Sequence, residues 1–149
     1  MEKYTKPLSI KLNNLLEKIH DGEKGFQKAS EHTDHIFLKK YFEKKSKERY
    51  DFGNELNIEF QMFGLQDDIN GSITGAAHRT WMDIKALFSV DNEQSMLEAA
   101  ITGEKAALED YNEILNQSSL PLRTRALLLK QKEAIENDLR VIKKIEDLK

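Results

Sequence analysis

Apolar residues recur every three or four positions along four long stretches of this chain, the spacing of one helical face. Residues 8–31 predict a first helix, with Leu12, Leu15, Leu16, Ile19, Phe26 and Ser30 on its stripe. Thr33-Asp34 offers an N-cap for a second helix at 35–63, carrying Leu38, Phe42, Phe52, Leu56, Phe60 and Phe63. Asp91 offers a cap for a helix at 92–116, with Leu97, Ala100, Ile101, Leu108, Tyr111 and Leu115. A last helix, 122–148, follows the turn at Pro121 and buries Leu128, Ile135, Ile142 and Ile145. Strand-like alternation is absent.

Between the second and third of these helices lies a longer connection with turn signals at Asp67-Asp68 and Asn70-Gly71. It predicts a shorter helix at 75–89 carrying Ala77, Trp81, Ile84 and Phe88. Short loops force antiparallel neighbours, whereas a crossover of this length lets helices two and three run parallel. The expected architecture is all-α: a ferritin-like four-helix bundle in one domain, residues 1–149, built as two hairpins joined by a crossover with a short extra helix.

Polar residues interrupt these stripes in a pattern. Leu16-Glu17…Gly22-Glu23-Lys24 returns as Leu97-Glu98…Gly103-Glu104-Lys105, at equivalent points of the two hairpins. Helical phase places Glu23 and Glu104 on the apolar face, where an unpaired carboxylate costs several kcal/mol, roughly. Lys45 and Arg49 sit in the stripe of helix two, Gln131 and Asp138 in that of helix four. Arginine takes a carboxylate bidentately and glutamine both donates and accepts. The expectation is therefore a polar core of Glu23, Arg49, Glu104, Gln131 and Asp138 that sets helix register.

Metal chemistry is the competing reading. Carboxylate di-metal bundles take one Glu from each of two helices and a Glu-x-x-His motif from each of the others. Glu23 and Glu104 supply the first half. Helix two offers Glu48-x-x-Asp51, Glu55-x-x-Ile58 and Glu59-x-x-Met62, and helix four Glu133-x-x-Glu136, none with histidine. The alternative is thus iron or another divalent metal on Glu23, Glu104 and Asp138, set against no cofactor at all. Gly22, Gly25 and Gly103 inside helices each cost about 1 kcal/mol relative to Ala. Close helix approach, or a small-ligand notch, would offset that. His20 reads as a half-exposed surface residue.

Composition narrows the classes. A net charge of −3 argues against a nucleic-acid partner. No apolar run long enough to span a membrane occurs, and the first residues lack a signal-peptide pattern. With no cysteine, thiolate sites and Cys nucleophiles are excluded and a cytoplasmic setting is expected. No phosphate loop or nucleophile elbow occurs, so the expectation leans away from an enzyme. Apolar residues beyond the core stripe, Ile36, Phe37 and Tyr41, suggest a homodimer.

Several motifs resemble an uncharacterised bacterial family of ferritin-like four-helix-bundle proteins, a domain of unknown function. They are Asp21-Gly22-Glu23-Lys24-Gly25-Phe26, Gly75-Ala76-x-His78-Arg79-x-Trp81 with Gly71-Ser72 before it, and Gly103-Glu104 with Tyr111. Arg49, Phe52 and Glu55-Leu56 on helix two and Gln131 with Asp138 on helix four also match. Asn137 departs from the histidine expected there in many relatives. The resemblance implies a ferritin-like fold without an established reaction. Association with related proteins suggests a stress-response or interaction role. It also singles out His78, Arg79 and Trp81 as a crossover feature, where an anion-binding role competes with simple anchoring of the loop.

Overall fold

Helix starts are set by side chains that accept the first free backbone N–H groups. In the computed structural model, which describes residues 3–64 and 92–148, Thr5 caps α1 (Lys6–Glu31), with Pro7 in its first turn. His35 caps α2 (Ile36–Met62) through its ring nitrogen, 3.2 Å from the Leu38 N–H. Thr33, the expected cap, instead accepts the His35 N–H at 3.2 Å. Asn92, one residue after the expected cap, caps α3 (Glu93–Leu115), accepting from Ser95 at 3.1 Å. Pro121 precedes α4 (Leu122–Val141). Beyond α2, Gly64 adopts φ 71°, a left-handed conformation that glycine enters without penalty. No strand occurs among the described residues.

The last helix is shorter than the 122–148 expected. Ile142 turns extended, and Ile145–Leu148 form a 3₁₀ turn. Asp147 accepts the N–H groups of Lys143 and Lys144 at 2.9 and 3.1 Å, and Ile145 N–H donates to Gln94 Oε1 at 3.2 Å. Leaving the helix folds Ile142, Ile145 and Leu148 against the core, which a continued helix axis would carry away. The predicted helix at 75–89, with His78, Arg79 and Trp81, lies outside the described residues.

Cross-helix pairs fix the directions. Lys11 meets Glu113 and Lys18 meets Asp110, so α1 and α3 are antiparallel. Glu59 meets Arg123, Glu55 meets Lys130 and Asp138 meets Lys45, so α2 and α4 are antiparallel. Since α1 and α2 form a hairpin, α2 and α3 run parallel. The molecule is an all-α four-helix bundle in which α1 packs on α2 and α3, and α4 on α3 and α2.

Facing residues alternate at three and four positions, as in coiled-coil seams. On α1 the row is Leu8, Leu12, Leu15, Ile19, Gly22, Phe26 and Ala29, all buried. Its Leu, Ile and Phe members each contribute about 1.5–3 kcal/mol by burial, enough to choose the rotation of the helix. The core is in two parts. One holds Leu12, Ile19, Phe52, Leu56, Tyr111 and Ile135; the other holds Phe26, Leu38, Phe42, Leu97 and Ala100.

Candidate functional site

A charged layer lies between those two apolar cores. On α2, Lys45 and Arg49 fill the core positions between Phe42 and Phe52. On α3, Glu104 fills the one between Ala100 and Tyr111; on α4, Asp138 follows Ile135. Lys45, Arg49 and Glu104 are 0%, 4% and 1% exposed, so their charges must be neutralised by one another.

They are. Arg49 Nη2 donates to Glu104 Oε1, and its Nη1 lies 3.2 Å from Glu48 Oε1. Lys45 Nζ stands 3.0 Å from Glu104 Oε2, 3.2 Å from Glu48 Oε1 and 2.5 Å from Asp138 Oδ2. The approach to Glu104 Oε2 is an ion contact without hydrogen-bond alignment, and among the described residues nothing donates a hydrogen bond to that buried oxygen. The Arg49 guanidinium also lies 5.6 Å from the Phe26 ring centre and 5.9 Å from that of Phe52. Burial works against the Lys45 charge, but Glu104, Glu48 and the Asp138 hydrogen bond outweigh it and hold its proton more tightly than usual. Arg49 is held charged by the same opposition, with Glu104 as the main counter-charge. Burial pushes the Tyr111 and Tyr41 hydroxyls well above the ordinary tyrosine range.

One step along the bundle, Tyr111 donates to Gln131 Oε1 at 2.7 Å. Gln131 Nε2 donates to Glu55 Oε1 at 3.2 Å and to the Phe52 carbonyl at 3.3 Å. Further on, buried Glu59 accepts from Arg123 Nε and from Thr124 Oγ1, both at 3.0 Å, while Tyr4 Oη lies 2.8 Å from the same Thr124 hydroxyl. Burial is the main cause that pushes the Tyr4 hydroxyl up to about 12.

Of the expected residues, the structure gathers Arg49, Glu104 and Asp138, the last through Lys45. Gln131 belongs to the neighbouring layer. Glu23 is not in the polar core. It is half-buried on the α1–α2 flank, in a hollow shared with Gln27, Ser46 and Tyr50. The repeat carries the reason. In α3, Leu97 and Glu104 face the core; in α1, the neighbours Leu15 and Gly22 do. The two copies are turned by one residue, about 100°. Glu23, Glu104 and Asp138 therefore do not converge, and among the described residues no group of three His, Asp or Glu is arranged to hold a metal ion.

Gly22 and Gly103 line one cleft of about 50 Å³ between α1 and α3, with Arg49 and Tyr111 beside it. The Lys18–Asp110 ion pair, 2.9 Å, lies against it. This is the notch that helix-interior glycines suggested, but its adjoining polar heads are spent on Glu104, Glu48 and Gln131. His20 is half-buried against Gly53 of α2, where an added Cβ would approach its ring to 3.2 Å. Ile36 and Phe37 are exposed, whereas Tyr41 is buried in the core.

Sequence reading passed over the participation of Glu48, Glu59 and Thr124. Thr124, Gln131 and Asp138 stand seven residues apart on α4, as do Lys45, Phe52 and Glu59 on α2. That spacing puts each set on one row and could have marked them.

The chain matches the model of the domain of unknown function DUF2383 over residues 8–117, and it belongs to that family. The match takes in α1, α2 and α3, while Gln131 and Asp138 lie beyond it. No curated protein and no solved structure matches the chain. Among the described residues, no helix is long and apolar enough to cross a membrane.

Proposed function

We propose that this chain is a non-catalytic, ferritin-like bundle protein of the bacterial cytoplasm, with a stress-type or interaction role. In this reading, fixed charges stand where a carboxylate bundle would hold metal. The observation that supports it most is the Lys45 ammonium, buried within 3.2 Å of carboxylates from Glu48, Glu104 and Asp138. A cation is thus supplied covalently by the chain. Both Glu104 oxygens face cations, Arg49 at one and Lys45 at the other, so neither is offered to a substrate. The composition, without cysteine, suits a reducing compartment.

The residues present do not fit iron on Glu23, Glu104 and Asp138. Bringing Glu23 inward requires α1 to turn by one position, about 100°, exposing its apolar row. Metal analysis of protein purified without chelator tests the proposal, with far less than one metal per chain expected. Stoichiometric iron, manganese or zinc that disappears in Glu104→Ala would overturn it.

A further inference from the structure

The hairpin between α1 and α2 turns through His32-Thr33-Asp34-His35, with one histidine ring on each helix end. The two rings are bonded in opposite senses. His32 Nδ1 lies 2.7 Å from the Lys28 carbonyl. A carbonyl only accepts, so this nitrogen carries a proton, and the imidazolium makes the same bond. Its charge also suits the C-terminal end of α1. His35 Nδ1 accepts the Leu38 N–H at 3.2 Å. That bond needs a bare nitrogen, so the neutral ring makes it and the imidazolium does not. A positive charge in the first turn of α2 also opposes the helix dipole. We propose that this turn is an acid-sensitive latch: protonation of His35 releases the start of α2, while the end of α1 stays capped.

The cap contributes in full above the range in which histidines titrate, around pH 6.5, and is lost as pH falls through it. The loss reaches the core, because Leu38 is fully buried with Phe26, Phe42 and Leu97. Ile36 and Phe37, both exposed, make up the rest of that first turn. Two further bonds hold the hairpin without a histidine ring. Thr33 Oγ1 accepts the His35 N–H at 3.2 Å, and Lys39 Nζ donates to the Ser30 carbonyl at 2.9 Å. Acid therefore removes the cap and leaves the hairpin closed. Charged groups of both signs stand on the elements that meet here. Exposed Glu31 and Asp34 favour the imidazolium, and Lys28, His32 and Lys39 oppose it. Glu93 opens α3, and the 3₁₀ turn packed on α2 carries Glu146 and Asp147, the latter engaged with the N–H groups of Lys143 and Lys144.

The test begins with the full wild-type chain, labelled with nitrogen-15 and titrated from pH 8 to pH 5 by NMR. The Leu38 amide resonance is expected to move in step with the His35 ring, while the amides at the end of α1 hold their positions. Thermal melts then compare the wild type with His35→Asn, since asparagine caps a helix at every pH in this range. Between pH 7.5 and 5.5 the wild-type midpoint is expected to fall by roughly 2–4 °C relative to that variant. Groups that titrate elsewhere in the chain cancel in this difference. His32→Asn is expected to keep the wild-type decline. A constant gap between wild type and His35→Asn overturns the proposal, as does a Leu38 amide that ignores the His35 titration. A decline that disappears with His32→Asn instead also overturns it. If His35→Asn does not fold, the wild-type amide titration decides alone.

Discussion

Two buried carboxylates, Glu104 and Glu59, are neutralised in different ways. Glu104 is met by Lys45 and Arg49, whose side chains are 1% and 5% exposed. Glu59 is met by Arg123, 62% exposed, and by the Thr124 hydroxyl. The first group is closed at its centre, where Lys45, Arg49 and Glu104 depend on one another, with Glu48 and Asp138, 18% and 23% exposed, at its edge. The second reaches water through its arginine, which is half free already. Similar burial of a carboxylate thus carries a different penalty when its partner is lost. The closed layer also separates two apolar cores, so it penalises any sliding of α2, α3 and α4 past one another. A polar group in such a seam is best understood as a device for register.

Removing one partner from each group gives the largest contrast. Arg49→Met is expected to destabilise the bundle by about 3–5 kcal/mol, since Glu104 and Glu48 lose a buried counter-charge. The urea midpoint measures it, and an unchanged midpoint would show that the closed layer is not closed. At the other end of the scale, Arg123→Met is expected to cost only about 1 kcal/mol or less, because an exposed partner is replaced in part by water. Equal losses for the two variants would erase the distinction drawn between the layers.

Alkaline pH produces an intermediate effect. Lys45, Tyr41, Tyr111 and Tyr4 all hold their protons more tightly folded than their ordinary values imply. Above about pH 10 the unfolded chain gives up protons that the folded chain keeps, so unfolding becomes favoured as pH rises. Stability from these groups is complete below that range and declines through pH 12. Three of the four groups line or adjoin the closed layer, and Tyr4 belongs to the open one. Thermal melts of Tyr4→Phe should therefore keep most of the alkaline decline. Tyr111→Phe, which removes one of the three, should flatten it more; the reverse order would place the sensitivity at the wrong end of the bundle.

Much of this arrangement is legible in the chain. The three-and-four spacing of Leu, Ile and Phe predicts the helices, because burial of one face dominates their energetics. Arg49, Glu104 and Asp138 are legible for the same reason: they interrupt apolar rows and so must be paired. Lys45 is visible in its row, and Glu48 three residues on lies beside it on the same helix, but its pairing with Glu104 and Asp138 is not visible, since those come from two other helices. Glu59 and Thr124 are visible only as members of heptad rows, and their pairing needs α2 and α4 set side by side.

The repeat around Glu23 and Glu104 shows where sequence stops. By itself the chain determined four amphipathic helices, their hairpin order, and the need to neutralise charges on inward faces. It did not determine the rotation of α1. Leu15 and Leu16 are adjacent and equally apolar, so either could lead the buried row, and local pattern scores them alike. Contacts with α2 and α3 decide between them, burying Leu15, Ile19 and Phe26 together and placing Gly22 inward. Glu23 then falls on the flank, and two near-identical motifs acquire different surroundings. Only tertiary packing makes that choice, because the energy that separates the two rotations is distributed over the whole interface and not held in the motif.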